Sequence, residues 1–200
     1  MAFQTSRLAL IFATILMLPS CVSFGGKAPA NMLLLSADHR VSSGTSVKGN
    51  AADALIVIEP SVPQKLNTNR VAVQVGISNV AYIKDAFWSD KPARLMRSLL
   101  AETISAKTGN LVLSEGDIGV RASRALSGTL VEFGVDSSSN EAIVVFDALL
   151  TQNGKPLEKR RFEARVAAMD INAEPAGVAL NKAANQVAVA ISDWLQSQGS

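Results

Sequence analysis

The chain has 200 residues, with 19 Lys and Arg against 17 Asp and Glu, one cysteine (Cys21) and one histidine (His39). So even a balance lacks the concentrated positive footprint that phosphate recognition needs, which argues against nucleic acid as a partner. A single thiol forms no disulfide and no cysteine-built metal site within the chain, and a lone histidine builds no histidine cluster, so stability must come from packing.

Arg7 precedes the apolar run Leu8–Leu18, which is followed by Pro19-Ser20-Cys21. A membrane-spanning helix needs about 20 apolar residues, so this shorter run reads as the core of a cleaved signal peptide. Leu18-Pro19-Ser20-Cys21 resembles the bacterial lipobox, with an uncommon Pro19 in the middle. That resemblance implies diacylglycerol on the Cys21 thiol, an N-acyl chain on its new amino terminus, and attachment that two or three chains make effectively permanent. Val22 rather than aspartate follows, which by resemblance to enterobacterial sorting favours the outer membrane. The expected organisation is a signal peptide over 1–20, the acylated cysteine and a flexible tether over 21–31, and one domain over 32–198.

Leu33-Leu34-Leu35 reads as a short strand and the polar segment Ser36–Asn50 as a mobile loop. Ala54–Glu59, stopped by Pro60 and Pro63, reads as a buried strand. Arg70–Ile77 alternates, with Val71, Val73, Val75 and Ile77 on one face, and Ser78-Asn79 turns it into Val80–Ile83. Ser89 or Asp90 is expected to cap a helix with Pro92 in its first turn and Gly109 past its end. On it Leu95, Met96, Leu99, Leu100, Thr103 and Ile104 form the apolar stripe, leaving Arg94, Arg97, Glu102 and Lys107 mostly to solvent.

After Leu111-Val112-Leu113 and a loop through Gly116 and Gly119, strands are predicted over Leu126–Val135, Ala142–Thr151 and Glu158–Ala168. Asn153-Gly154 suits a type I′ hairpin turn. In the last strand Phe162, Ala164, Val166 and Ala168 alternate with Arg161, Glu163 and Arg165. The strand before it is apolar on both sides, with Val144, Phe146, Ala148 and Leu150 on one and Ile143, Val145 and Leu149 on the other. It is either central and covered twice, or it offers an apolar face to a partner. A closing helix from Glu174-Pro175 to Gln196 carries the stripe Ala176, Leu180, Ala183, Ala184, Val187, Ile191, Trp194 and Leu195, its alanines permitting close approach to a sheet. The elements predict a single two-layer α+β domain: a largely antiparallel sheet with both long helices packed on one face.

Taken in order, the lipobox, Leu33-Leu34-Leu35, Ile56-Val57-Ile58-Glu59-Pro60, Val62-Pro63 with Leu66, Arg70-Val71-Ala72-Val73, Trp88 opening a helix, and Trp194-Leu195 closing one resemble the ABC-type transport auxiliary lipoproteins, including the paraquat-inducible protein C group. Where that family often has a tyrosine and an Asp-Arg pair after the second proline, this chain has Lys65 and Asn67-Thr68. The resemblance implies a non-enzymatic, membrane-anchored periplasmic component of a lipid-trafficking transporter. Its partners would be an ABC ATPase, a permease and a substrate-binding protein of the mammalian-cell-entry type. No Gly-x-x-x-x-Gly-Lys-Ser/Thr run occurs, so ATP binding of the P-loop kind would belong to another subunit. Docking would use the Ala142–Thr151 strand or a sheet edge, as would self-association into a homo-oligomer. The alternative is a lipid carrier in which the helices part from the sheet around an acyl chain.

Three sets of residues invite sharper readings. His39 with Asp38, Ser36, Ser42 and Ser43 has the types for hydrolysis, but these share one polar loop with no nucleophile elbow, so a solvated loop is expected. Lys155, Lys159, Arg160, Arg161 and Arg165 could meet anionic headgroups, yet Glu158 and Glu163 interrupt them, as on an ordinary solvated hairpin. Tyr82, Trp88 and Trp194 are either a partner contact or core, with core expected for both tryptophans.

Overall fold

The two hydrophobic periods form the elements they favour. Period-two runs are strands β1 (Leu55–Val57), β2 (Arg70–Val75), β3 (Asn79–Phe87), β4 (Val112–Leu113), β5 (Arg124–Asp136), β6 (Glu141–Gln152) and β7 (Glu158–Ala167). Helical runs are α1 (Pro92–Thr108) and α2 (Ala173–Ser197). The computed structural model describes residues 31–50, 53–113, 117 and 122–198; the signal segment, Cys21, the tether to Ala30, and Gly116 and Gly119 lie outside them.

Strand β5 is the spine of a seven-stranded sheet. One edge pairs antiparallel with β6 from Arg124↔Gln152 to Asp136↔Glu141, and β6 pairs antiparallel with β7. The other edge is shared. β1 runs parallel to Arg124–Leu126 with β4 outside it, Ser61 bridges Thr129, and β2 runs parallel to Gly134–Asp136 with β3 beyond. The long ladders are therefore antiparallel, as hairpin spacing indicates, while β1 and β2 join β5 in parallel because chain and helix intervene before β5 returns beside them.

The core lies between one sheet face and the helices. Leu126, Leu130, Phe133 and Val135 of β5 and Val144, Phe146, Ala148 and Leu150 of β6 meet the whole predicted α2 stripe, every member of which is buried. Met96, Leu99, Leu100 and Ile104 of α1 join the same core. Lys107 pairs with Asp193 at 3.2 Å, and the Gln196 side chain donates to the Lys107 carbonyl. These contacts bring the two helix C-termini together, so the helices run side by side in the same direction.

Three local expectations change. Lys91, not Ser89 or Asp90, is the N-cap of α1; it is extended (φ −62°, ψ 142°), as a residue before proline favours. Gly109 closes the helix in the left-handed conformation, as expected. The β2–β3 turn begins two residues early, at Gly76 (φ 62°), leaving Ile77 on its crest instead of inside. Gly154 (φ 73°) alone takes a positive φ in the β6–β7 turn, so that turn is not type I′.

Candidate anchoring and docking surface

The segment expected to be a mobile loop begins as an ordered strap. Leu33 makes a parallel bridge with Trp88, donating to the Phe87 carbonyl at 2.7 Å and accepting from the Ser89 amide at 2.9 Å. The chain then follows α2. The Ser36 amide donates to Asn181 Oδ1 and the Asp38 amide to Asn185 Oδ1, each at 2.8 Å, while Asn185 Nδ2 donates to the Ser36 carbonyl at 2.9 Å. The strap then crosses to α1, where the Val41 amide donates to Glu102 Oε1 at 2.8 Å. Glu102, expected in solvent, thus receives a backbone N–H.

Buried Asn185 acts as a strand partner built from a side chain: it satisfies one donor and one acceptor of an extended backbone. Sequence reasoning missed it. The available signal was Asn181 and Asn185, four residues apart on one side of a helix rich in alanine. Replacing Asn185 with alanine is expected to lower stability by about 1–3 kcal/mol, since paired backbone groups lose their partner. Hydrogen exchange at Ser36–Val41 should accelerate in that variant; unchanged exchange there would show that the strap does not depend on Asn185.

One end of the molecule gathers three links. The Ser137 amide in the β5–β6 turn donates to the Gln74 carbonyl near the end of β2, and the Ala168 amide, leaving β7, donates to the Asn140 carbonyl. The β2–β3 turn, the β5–β6 turn and the β7–α2 link therefore lie together. Ile77 (103% exposed) and Met169 (99%) stand fully in solvent there, with Val75 and Val80 at 41% each.

The doubly apolar strand β6 is central between β5 and β7. Its second face bears no helix; Val145 is buried, and Ile143 and Leu149 are half-buried, between charged and polar flanking rows. Val145 lies between Glu132 and Glu163, and Ile143 opposite Arg165, so long charged side chains with aliphatic stems border this row. Asp147 on the same face takes two bonds from Arg161, at 2.6 and 2.8 Å. Chiefly these bonds hold its carboxyl below the usual aspartate range. Arg165 reaches both Glu163 and Glu141, Lys159 faces Asp147, and Arg160 lies over the Phe162 ring. Lys159, Arg160, Arg161 and Arg165 are thus engaged within the hairpin, as the interrupting acids suggest, while Lys155 donates to the Gln198 carbonyl at 3.3 Å.

Both tryptophans are core. Trp88 is fully buried against Phe133, with ring centroids 5.1 Å apart, and Trp194 packs on Phe162 while donating to Glu158 at 2.8 Å. Tyr82 is half-buried, donates to the Lys65 carbonyl and lies under Arg70. Asp38, His39, Ser36, Ser42 and Ser43 are all exposed, and among the described residues no hydrogen bond joins His39 to the others. Also among these residues, no helix is long and apolar enough to cross a membrane.

The family model for the ABC-type transport auxiliary lipoprotein component matches residues 34–192. The chain belongs to this family. As an auxiliary lipoprotein it is a component of the cell envelope associated with ABC-type transport. No curated protein matches the chain. Among the solved structures that share the fold are two crystal structures. One is an uncharacterised protein at 18% identity, covering 82% of this chain and 97% of its own, with TM-score 0.66. The other is a Xanthomonas campestris protein of the DUF330 family, at 14% identity, covering 84% and 96%, with TM-score 0.67.

Lys65 and Asn67 of this auxiliary lipoprotein have internal partners. Lys65 Nζ contacts both Glu132 oxygens, at 2.7 and 2.6 Å, and Asn67 Oδ1 accepts from Lys91 Nζ at 2.8 Å. Lys65 thereby fastens the single 3-10 turn Gln64–Leu66 to β5.

Proposed function

We propose that the protein is a non-enzymatic docking element of a lipid-transporting ABC system of the mammalian-cell-entry type, held at the periplasmic face of the outer membrane through acylated Cys21. The observation that carries this reading is the family match over the domain, joined to a lipobox upstream of an ordered strap. Asn181, Asn185 and Glu102 bind the strap to both helices, so tension on the tether is transmitted to the helix pair. Docking to the permease, ATPase or substrate-binding subunit, or self-association, is open to the charged rim and apolar row of the second sheet face and to the free edge of β3.

The folded interior favours an adaptor over a carrier. The α2 stripe is packed on the sheet through buried alanines, and holding an acyl chain would require that contact to open. A depression of about 420 Å³ beside the strap has Asp38, Lys182 and Asp193 on its wall, which suits an acyl chain poorly.

Crosslinking on native membranes followed by mass spectrometry tests the proposal. The expected result is linkage to a permease, ATPase or mammalian-cell-entry type subunit, with no lipid retained by the purified protein beyond its own acyl chains. Links to itself alone, together with stoichiometric extractable lipid, would replace the adaptor with a carrier.

A further inference from the structure

We infer that the end of the domain bearing the β2–β3 turn rests in the lipid leaflet, so that the protein meets its membrane through apolar side chains as well as through acyl chains; this rests on the Cys21 anchor proposed above. The first argument is direction. The Leu33–Trp88 bridge is parallel, so the strap runs with β3, away from the β2–β3 turn. Asn31 and Met32 therefore precede Leu33 on the side of the bridge nearer that turn.

The second argument is reach. Nine residues, Val22–Ala30, separate Cys21 from Asn31. Ten Cα steps span at most about 36 Å. An acylated Cys21 would therefore keep the domain within that distance of its membrane, and the side chains exposed at each end decide which end meets it.

The third argument is chemistry. Val75-Gly76-Ile77-Ser78-Asn79-Val80 contains no charged residue, and Ile77 stands on its crest with Val75 and Val80 beside it. Met169 is fully exposed at the same end, across the joined turns. Gly76 takes the left-handed conformation that sets the crest, where a polar residue would serve the turn equally well. Asp170 follows Met169, and Asp136 and Glu141 flank the β5–β6 turn, so the β2–β3 crest is the uncharged part of this end; at the opposite end the exposed Leu157 stands alone, two residues from Lys155. Apolar side chains borne on short uncharged turns enter the headgroup and acyl boundary readily, whereas charged ones resist it.

The test uses the full acylated protein in vesicles of phosphatidylethanolamine and phosphatidylglycerol. The Cys21 sulfur is blocked by its lipid, so Ile77→Cys, Met169→Cys and Asn153→Cys each present one thiol for an environment-sensitive fluorophore. Labels at 77 and 169 are expected to shift to the blue and to be quenched by spin-labelled lipid, while the label at 153 is not. Adding Ile77→Asp to Met169→Cys should lower the ratio of inserted to lifted protein roughly tenfold, since one buried aliphatic side chain is lost.

The mass of the amino-terminal peptide reports the anchor separately. Diacylglycerol on that peptide, with labels at 77 and 169 quenched no more than at 153, would overturn the inference and leave the anchor standing. A blue shift without quenching would mean burial against a protein, and would equally overturn it. An unmodified Cys21 would remove the anchor reading and this inference with it.

Discussion

Replacing Cys21 with alanine is expected to move the protein from the membrane fraction to the soluble periplasmic fraction almost completely. Alanine keeps a small residue where the signal is cut, so export itself should survive. What would be lost is the lipid proposed on Cys21. Each buried methylene contributes about 0.8 kcal/mol, and one chain alone gives only reversible binding, whereas two or three give attachment that does not exchange. The exposed side chains of the β2–β3 turn are too few to replace this. Fractionation after an alkaline wash measures the effect; a Cys21→Ala protein that still pellets with membranes would show that something other than lipid holds it.

Replacing Gly128 with alanine is expected to destabilise the domain by about 3 kcal/mol or more, at or beyond the upper end of ordinary overpacking. A Cβ at this position would lie 2.1 Å from the Asp147 carbonyl oxygen and 2.9 Å from the Phe146 ring. The first obstacle is backbone in the central β5–β6 ladder, and it cannot rotate away as a side chain can. Nor can β5 retreat to the other side, where the Ser61 amide donates to the Gly128 carbonyl at 3.0 Å and the Leu130 amide to the Ser61 carbonyl at 2.9 Å. Gly177→Ala is the matched control: its Cβ would meet only the Leu33 side chain, at 2.8 Å, and the end of a leucine can turn. Urea unfolding of the two variants separates them, and equal losses would show that the β5–β6 ladder adjusts more freely than its hydrogen bonds suggest.

Ser127-Gly128-Thr129 could have been read from the chain, because a glycine inside a strand signals a close approach of backbones. What could not be read was which backbone approaches. The same limit applies at Ile77, whose place in an alternating run put it with Val71 and Val73 on the core face. Alternation carries that expectation as long as the strand continues, and β2 ends at Val75, two residues sooner. Arg161 and Asp147 show the reverse case, in which both residues sit where their strands predict, yet their pairing depends on the β6–β7 register.

The sequence by itself determined the type and approximate extent of both helices and the long strands, because a helical or alternating apolar stripe is a local property of consecutive residues. It also marked the apolar stripe of α2, down to Leu195, and the family pattern. Tertiary structure alone decided how β1 and β2 share one edge of β5, why Asn185 is polar inside a helix, and which turns meet at one end of the molecule. Each of those depends on residues far apart in the chain whose meeting follows from register and crossover, and neither is written in the composition of a single segment.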